Sequence, residues 1–163
     1  MQGNRRCAGF TMLELLVVIV IVGILASIAM PRFGGSSAFD ERGFLDQSRS
    51  TLRYAQKLAI AARREVCVTF TASTIALTLN PNPVPPSAPC TQVVNMPGEA
   101  TTAYIITAPA TGPVIAPVPP PFRFNGRGQP TNAAGNLLPS QVVNIVGSAN
   151  RAINITTNTG YVN

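Results

Sequence analysis

Residues 9–16 read Gly-Phe-Thr-Met-Leu-Glu-Leu-Leu, and they open a run of apolar side chains that continues to Met30. From Leu15 to Met30 the run contains no charged residue. A helix over residues 10–30 would be about 30 Å long, which matches the hydrocarbon core of a bilayer. The sequence therefore predicts one membrane-spanning helix over residues 10–30.

Three ordinary explanations of this run compete. A secretory signal peptide would offer a small-x-small site at residues 27–29, but its apolar region is usually shorter and a carboxylate would hinder its recognition. A lipoprotein signal needs a cysteine after the run, whereas Cys7 precedes it. A plain anchor leaves Glu14 unexplained, because a carboxylate inside a membrane helix costs about 2.5–3.5 kcal/mol. The nearest partner for Glu14 would be the free amine created by a cut between Gly9 and Phe10.

The stretch from Gly9 to Leu16 resembles the class III signal of type IV pilins and type II secretion pseudopilins. In that signal a Gly precedes a Phe, and a Glu is the fifth residue of the new chain. Gly23 within the run and Pro31 directly after it also follow the family's pattern. Gly23 has two explanations, since Gly is common in membrane helices and also marks sites of close helix approach or local unwinding.

The resemblance implies that a prepilin peptidase removes residues 1–9 as a leader and that Phe10 becomes N-methylated. It implies a single-pass inner-membrane protein with its C-terminal domain in the periplasm, surrounded by membrane lipid and handled by an inner-membrane assembly platform. The subunit would then enter a filament of other pilins or pseudopilins, where Glu14 pairs with the Phe10 amine of a neighbour. Pro31 should end the span, and residues 31–37 should form a flexible joint.

Residues 38–64 show apolar side chains at spacings of three and four, which predicts an amphipathic helix packed on a sheet. Basic residues occupy the opposite face, which should point outward. The acids Asp40, Glu41 and Asp46 are expected at an exposed helix start, where the helix dipole explains them.

Short stretches rich in β-branched residues follow this helix and predict antiparallel strands. The strand predictions are residues 66–71 and 74–79 as a hairpin, weaker strands at 104–107 and 114–118, a strand at 122–124 before a turn at 125–128, and a final pair at 142–146 and 152–156. Residues 80–99 are expected to form a loop. The fold class is thus α+β, a pilin-like fold whose long N-terminal helix, with a membrane half and an amphipathic half, packs on an antiparallel β-sheet. Residues 38–163 form its globular domain.

Residues 55–66, the Gly-Arg-Gly turn at 126–128 and the last strand ending at Gly160 resemble the H-type minor pseudopilins and related minor pilins. The stretch 39–44, with two cysteines after it, resembles minor pilins of mannose-sensitive haemagglutinin pilus systems. If the leader is lost with its cysteine, Cys67 and Cys90 remain as an even pair, which in an exported domain favours a disulfide over two buried thiols.

Histidine and tryptophan are absent, and Asp and Glu together number six. Without histidine there is no Ser-His-Asp or Cys-His nucleophile, no imidazole base and no His-ligated metal. We therefore predict that the protein is not an enzyme, with no catalytic residue, cofactor or metal. The net charge is +6, and eleven of the twelve basic residues are Arg. This charge fits either a positive flank on the cytoplasmic side together with a solvated helix face, or a polyanion-binding surface.

The leading hypothesis is a non-catalytic structural subunit, a minor pilin or pseudopilin that initiates a filament or sits near its tip. Whether the filament is a type IV pilus or a type II secretion pseudopilus stays open. The alternative is a DNA-binding minor pilin that uses Arg123, Arg127 and Arg151, although Gly160 is followed by no arginine, unlike in the DNA-binding relatives. A further hypothesis is adhesion through the loops of residues 80–121; the alternative is that these loops are only variable surface.

Overall fold

The computed structural model describes residues 10–29, 36–82, 89–99 and 101–163. The chain divides into two compact units, Met1–Ser36 and Ser37–Asn163. In its described part the first unit is one helix, α1 (Met12–Ala29). Within the described residues, no helix combines the length and the hydropathy that a membrane crossing requires. The predicted leader, Pro31 and most of the predicted joint lie outside the described residues, and the span over residues 10–30 stays a prediction.

All but the first residue of the long helix α2 (Ser36–Ala62) belongs to the second unit. This helix starts two residues earlier than predicted and takes in Ser36 and Ser37 from the predicted joint. Its end is a Schellman motif, in which the Arg63 and Arg64 amides donate to the Ile60 and Ala59 carbonyls. Arg63 has φ 51° at the position where glycine is usual, so the backbone turns out of the helix at this arginine.

Nine strands follow in the described residues: β1 (Val66–Phe70), β2 (Thr74–Leu79), β3 (Gln92–Val93), β4 (Ile105–Thr107), β5 (Val114–Ile115), β6 (Phe122–Phe124), β7 (Pro130–Thr131), β8 (Gln141–Val146) and β9 (Arg151–Ile155). They form two antiparallel sheets. The larger has the order β3-β2-β1-β6-β7, with β4 pairing on β2 beside β3, and the smaller has the order β5-β8-β9. Register is fixed by pairs such as Val68 with Leu77 and Val143 with Ile153.

The core of this unit lies between α2 and the inward faces of both sheets. Alternate residues of β1, β2, β6, β8 and β9 point into it, as the period of two in a half-buried strand requires. The helix contributes Phe44, Leu52 and Ala55, each buried. Tyr54 on α2 stacks on Tyr104 at 5.1 Å between ring centroids, which ties the helix to the segment before β4.

The α+β fold with one amphipathic helix on antiparallel strands is confirmed, as are the β1–β2 hairpin and the β8–β9 pair. Four details differ from the sequence-based prediction. The strands form two sheets, and the weak strand at 114–118 shortens to Val114 and Ile115. The expected loop at 80–99 contains β3, and Pro130 begins the unpredicted strand β7, which is an edge strand where proline's missing amide hydrogen is tolerated.

Candidate assembly site

The start of α1 is built by a capping interaction between two residues of the predicted signal. The Glu14 amide donates to the Thr11 hydroxyl oxygen at 3.2 Å, and the Leu15 amide donates to the Thr11 carbonyl at 3.2 Å. Thr11 and Glu14 have the Thr-x-x-Glu spacing of a capping box, and a carboxylate in the first turn offsets the positive end of the helix dipole. Sequence reasoning missed this role for Thr11, although the spacing itself is its signal.

The side chains of α1 are apolar on almost every side and remain uncovered in the isolated chain. Leu13 is 74% exposed and Ile24 is 57% exposed. A Cβ added at Gly23 would meet no atom within 4 Å, so the chain itself does not require glycine there. Phe10, which directly precedes the capping residue, is also exposed. A helix apolar all round becomes stable only when lipid or other helices surround it.

The other predicted processing and assembly residues, Gly9 and Pro31, lie outside the described residues. Cys67 and Cys90 form a disulfide across a separation of 23 residues. The bond fixes the segment before β3 to strand β1.

Arg123 lies in a buried polar cluster at the edge of the core. Its Nη1 is 2.9 Å from Glu65 Oε2, and the two side chains are only 12% and 10% exposed. The Asn80 side-chain amide donates to the same carboxylate oxygen at 3.3 Å. Because β6 pairs with β1, the arginine is placed beside the glutamate that directly precedes β1. The arrangement balances a buried charge and has the form of a structural ion pair.

Glu41 lies in a second buried polar cluster and is only 4% exposed. The prediction that this residue lies at an exposed helix start is therefore wrong. Its carboxylate accepts hydrogen bonds from the Ser148 amide at 2.9 Å, the Ser148 hydroxyl at 2.5 Å and the Ala149 amide at 3.2 Å. The prediction failed because Glu41 lies three residues before Phe44 and so shares the buried face of α2. The three-residue spacing between Glu41 and Phe44 could have been read from the sequence.

The electrostatics of Glu41 follow from these contacts. The hydrogen bond from the Ser148 hydroxyl lowers the pKa of Glu41 below its ordinary value, helped by the Ala149 and Ser148 amides and by Arg151, whereas burial opposes the shift. Arg151 Nε lies 3.9 Å from Glu41 Oε1. The carboxylate therefore holds the turn between β8 and β9 against the first turns of α2 in its charged form.

The three arginines of the DNA-binding alternative thus occupy different surroundings. Arg123 pairs with Glu65 and Arg151 lies next to Glu41, while Arg127 is exposed in the turn after β6. Two of the three charges have a carboxylate beside them. In the described part of the chain, no three His, Cys, Asp or Glu residues are grouped as metal ligands would be.

Comparison with known proteins gives matches to segments of the chain. Residues 4–30 match the family described as the prokaryotic N-terminal methylation motif. A segment of 54 residues, 33% of this chain, is 41% identical to the type IV narrow pilus major component PilA5 of Thermus thermophilus and 41% identical to the type IV major pilin protein PilA of Myxococcus xanthus. A segment of 33 residues, 20% of this chain, is 59% identical to the type II secretion system core protein G of Aeromonas hydrophila.

The matched segments span about half of the Thermus protein, 47%, and about a quarter of the other two, 24% and 23%. No solved structure matches the chain. The methylation motif and the named relatives support a relationship of this chain to the superfamily of type IV pilins and pseudopilins. They do not distinguish a pilus subunit from a secretion pseudopilus subunit.

Proposed function

We propose that this protein is a minor pilin or pseudopilin, a non-catalytic subunit that assembles into a type IV pilus or a type II secretion pseudopilus. Prepilin peptidase cuts between Gly9 and Phe10, the new Phe10 amine is methylated, and residues 10–30 anchor the subunit in the inner membrane. The observation that carries the proposal is the methylation motif joined to a capped apolar helix whose first turn holds Glu14.

Glu14 supports an assembly role because its charge needs a partner once lipid or other helices surround α1. A carboxylate in apolar surroundings is unfavourable unless it is paired, and the paired form sets the register of the packed helices. The amine of Phe10 on a neighbouring subunit is the partner that the resemblance implies. The minor role and the place near the filament tip rest on the resemblance of residues 55–66 and 126–128 to the H-type subunits.

The first test is the intact mass and the N-terminal sequence of the protein from native membranes, measured without reduction. We expect a chain that begins at N-methylated Phe10 and is two hydrogens lighter than its reduced form. A chain that begins at Met1 or at Met30 would show that the signal is unused and would refute the assembly function.

The second test separates processing from assembly. Glu14→Gln keeps the size of the side chain but removes its charge, so we expect a processed and membrane-held subunit that is missing from sheared filaments. Ser27→Ala is the matched control, because Ser27 donates only to the Ile24 carbonyl of its own helix and should assemble normally. Normal incorporation of the Glu14→Gln subunit would contradict the proposed pairing.

A further inference from the structure

The outer face of α2 carries a one-sided pattern of charge. Six residues along this face are exposed or half-buried, and they are Phe39, Arg42, Arg49, Arg53, Lys57 and Ile60, hereafter the basic face. They follow one another at spacings of three or four, except that Asp46 takes the place between Arg42 and Arg49. This face is about 32 Å long at the rise of an α-helix. The face carries four basic side chains. Among the described residues of α2, one acid lies next to them, Asp46, whose carboxylate is 3.4 Å from the Arg49 guanidinium.

The helix holds this face in a fixed orientation. The opposite side of α2 is buried in the core, and Arg53 donates two hydrogen bonds, at 3.2 and 3.1 Å, to the Val162 carbonyl. Arg63 and Arg64 extend the positive charge past the end of the helix. The helix backbone therefore sets these basic residues along one line, and the Arg53 side chain is held in place.

The chain itself offers little to neutralise the basic face. Of its six carboxylates, Glu41 and Glu65 are buried and paired, Glu14 belongs to α1, and Asp46 already faces Arg49. Only Asp40 and Glu99 remain as acids outside these contacts. A second copy therefore offers only these two acids to complement the face, which favours an anion of another kind.

Two apolar side chains mark the ends of the same face. Phe39 is 78% exposed one turn before Arg42, and Ile60 is 47% exposed one turn after Lys57. Basic residues between apolar ends suit a bilayer surface, where arginines meet lipid phosphates and apolar groups enter the headgroup layer. In the sequence the helix follows the predicted membrane segment within a few residues.

We propose that the basic face docks on the anionic phospholipid headgroups of the membrane that holds the subunit before assembly. The proposal rests on the proposed function for the anchor, residues 10–30, which supplies the first attachment. A polybasic surface supplies the second, and the two together hold a domain on a bilayer far better than either alone. Docking would keep the domain on the membrane until other subunits extract it.

The test uses the full chain, carrying Cys7→Ser, in nanodiscs of phosphatidylcholine alone or mixed equally with phosphatidylglycerol. An environment-sensitive dye is placed through Ile60→Cys or, as the control, through Leu137→Cys, another exposed apolar position that lies outside α2. We expect the dye at position 60 to shift to shorter wavelength only in the anionic discs and to return in high salt. The dye at position 137 should be the same in both.

Charge variants supply the quantitative test. Each basic residue near an anionic surface changes the docking equilibrium about fivefold, so Arg42→Gln, Lys57→Gln and Arg63→Gln together should reduce it on the order of a hundredfold. Asp46→Asn should strengthen docking about fivefold. Glu99→Gln makes the same change in net charge outside α2 and should have no effect.

The outcomes separate the two proposals. If the chain is held in both kinds of disc but the dye at position 60 is the same in each, the lipid docking is wrong and the anchor stands. If the chain is held in neither, the anchor is wrong and the docking proposal falls with it. A shift caused by polyglutamate or duplex DNA, with none from anionic lipid, would assign the face to another partner and overturn the proposal.

Discussion

The ion pair between Arg123 and Glu65 can be tested by substitution. The loss in the free energy of unfolding when Arg123 is replaced differs by several kcal/mol between a structural role and a surface role for this arginine. Arg123→Met keeps the length of the side chain and removes its charge. The Glu65 side chain, only 10% exposed in the unaltered protein, then loses its cationic partner and keeps the hydrogen bond from Asn80 at 3.3 Å.

The expected magnitude follows from the burial. Removing one partner of a buried ion pair costs about 3–5 kcal/mol, whereas an exposed pair contributes about 0–1 kcal/mol. Since both side chains keep about a tenth of their exposure and Asn80 stays, we expect the low end, about 3 kcal/mol. Glu65→Gln together with Arg123→Met should cost less than the sum of the two single changes, because the buried charge is gone.

The assay is guanidinium-induced unfolding of the compact unit Ser37–Asn163, followed by circular dichroism with the disulfide intact. Arg127→Met is the matched control, an exposed arginine four residues away that should change the free energy of unfolding by less than about 0.5 kcal/mol. A loss below about 1 kcal/mol for Arg123→Met, or strict additivity in the double variant, would refute the structural role. That result would return Arg123 to the set of candidate polyanion contacts.

Three further predictions concern stability. Glu41→Gln should destabilise the domain at neutral pH but not at strongly acidic pH. The pKa of Glu41 in the folded protein lies below the ordinary 4.5, so the charged carboxylate stabilises the fold fully above pH 4.5, and this stabilisation is lost as the pH falls through the lowered pKa. Unfolding curves of both proteins at neutral and at acidic pH test this. Cys67→Ser with Cys90→Ser opens a link across 23 residues and should lower the free energy of unfolding by about 3 kcal/mol, as reduction of the unaltered protein should. Gly160→Ala should lower the melting temperature, since Gly160 has φ 64° and an added Cβ would overlap a carbonyl oxygen of the turn after β6. Gly43→Ala in α2 adds a methyl group that meets nothing within 4 Å, so it should raise the melting temperature. Equal shifts for the two variants would contradict this explanation.

Local patterns in the sequence were enough to predict the longer elements. The apolar spacing of α2 and the β-branched content of β1, β2, β8 and β9 are local signals, and the structure follows them. Strands β3 and β7 have two residues each and no period of their own. They form because longer neighbours present free hydrogen-bonding edges, which is information that lies elsewhere in the chain.

The candidate site divides in the same way. The processing motif and Glu14 are read from eight consecutive residues, so a local pattern suffices. The partners of Glu41 and Glu65 lie 107 and 58 residues away, and only the folded chain brings them together. A carboxylate on the buried face of an amphipathic helix was a signal that such a partner must exist, but it did not say which one.

The hydrogen bonds from Arg53 to the Val162 carbonyl join positions 109 residues apart, near the two ends of the globular unit. Contacts of such high sequence separation slow folding, because most of the chain must be ordered before they form. During export the domain therefore cannot close until its last residues emerge. A chain truncated before β9 would lose the pairing with β8 and the buried side chains of Ile153 and Ile155, so its core would be incomplete and it should be degraded more readily.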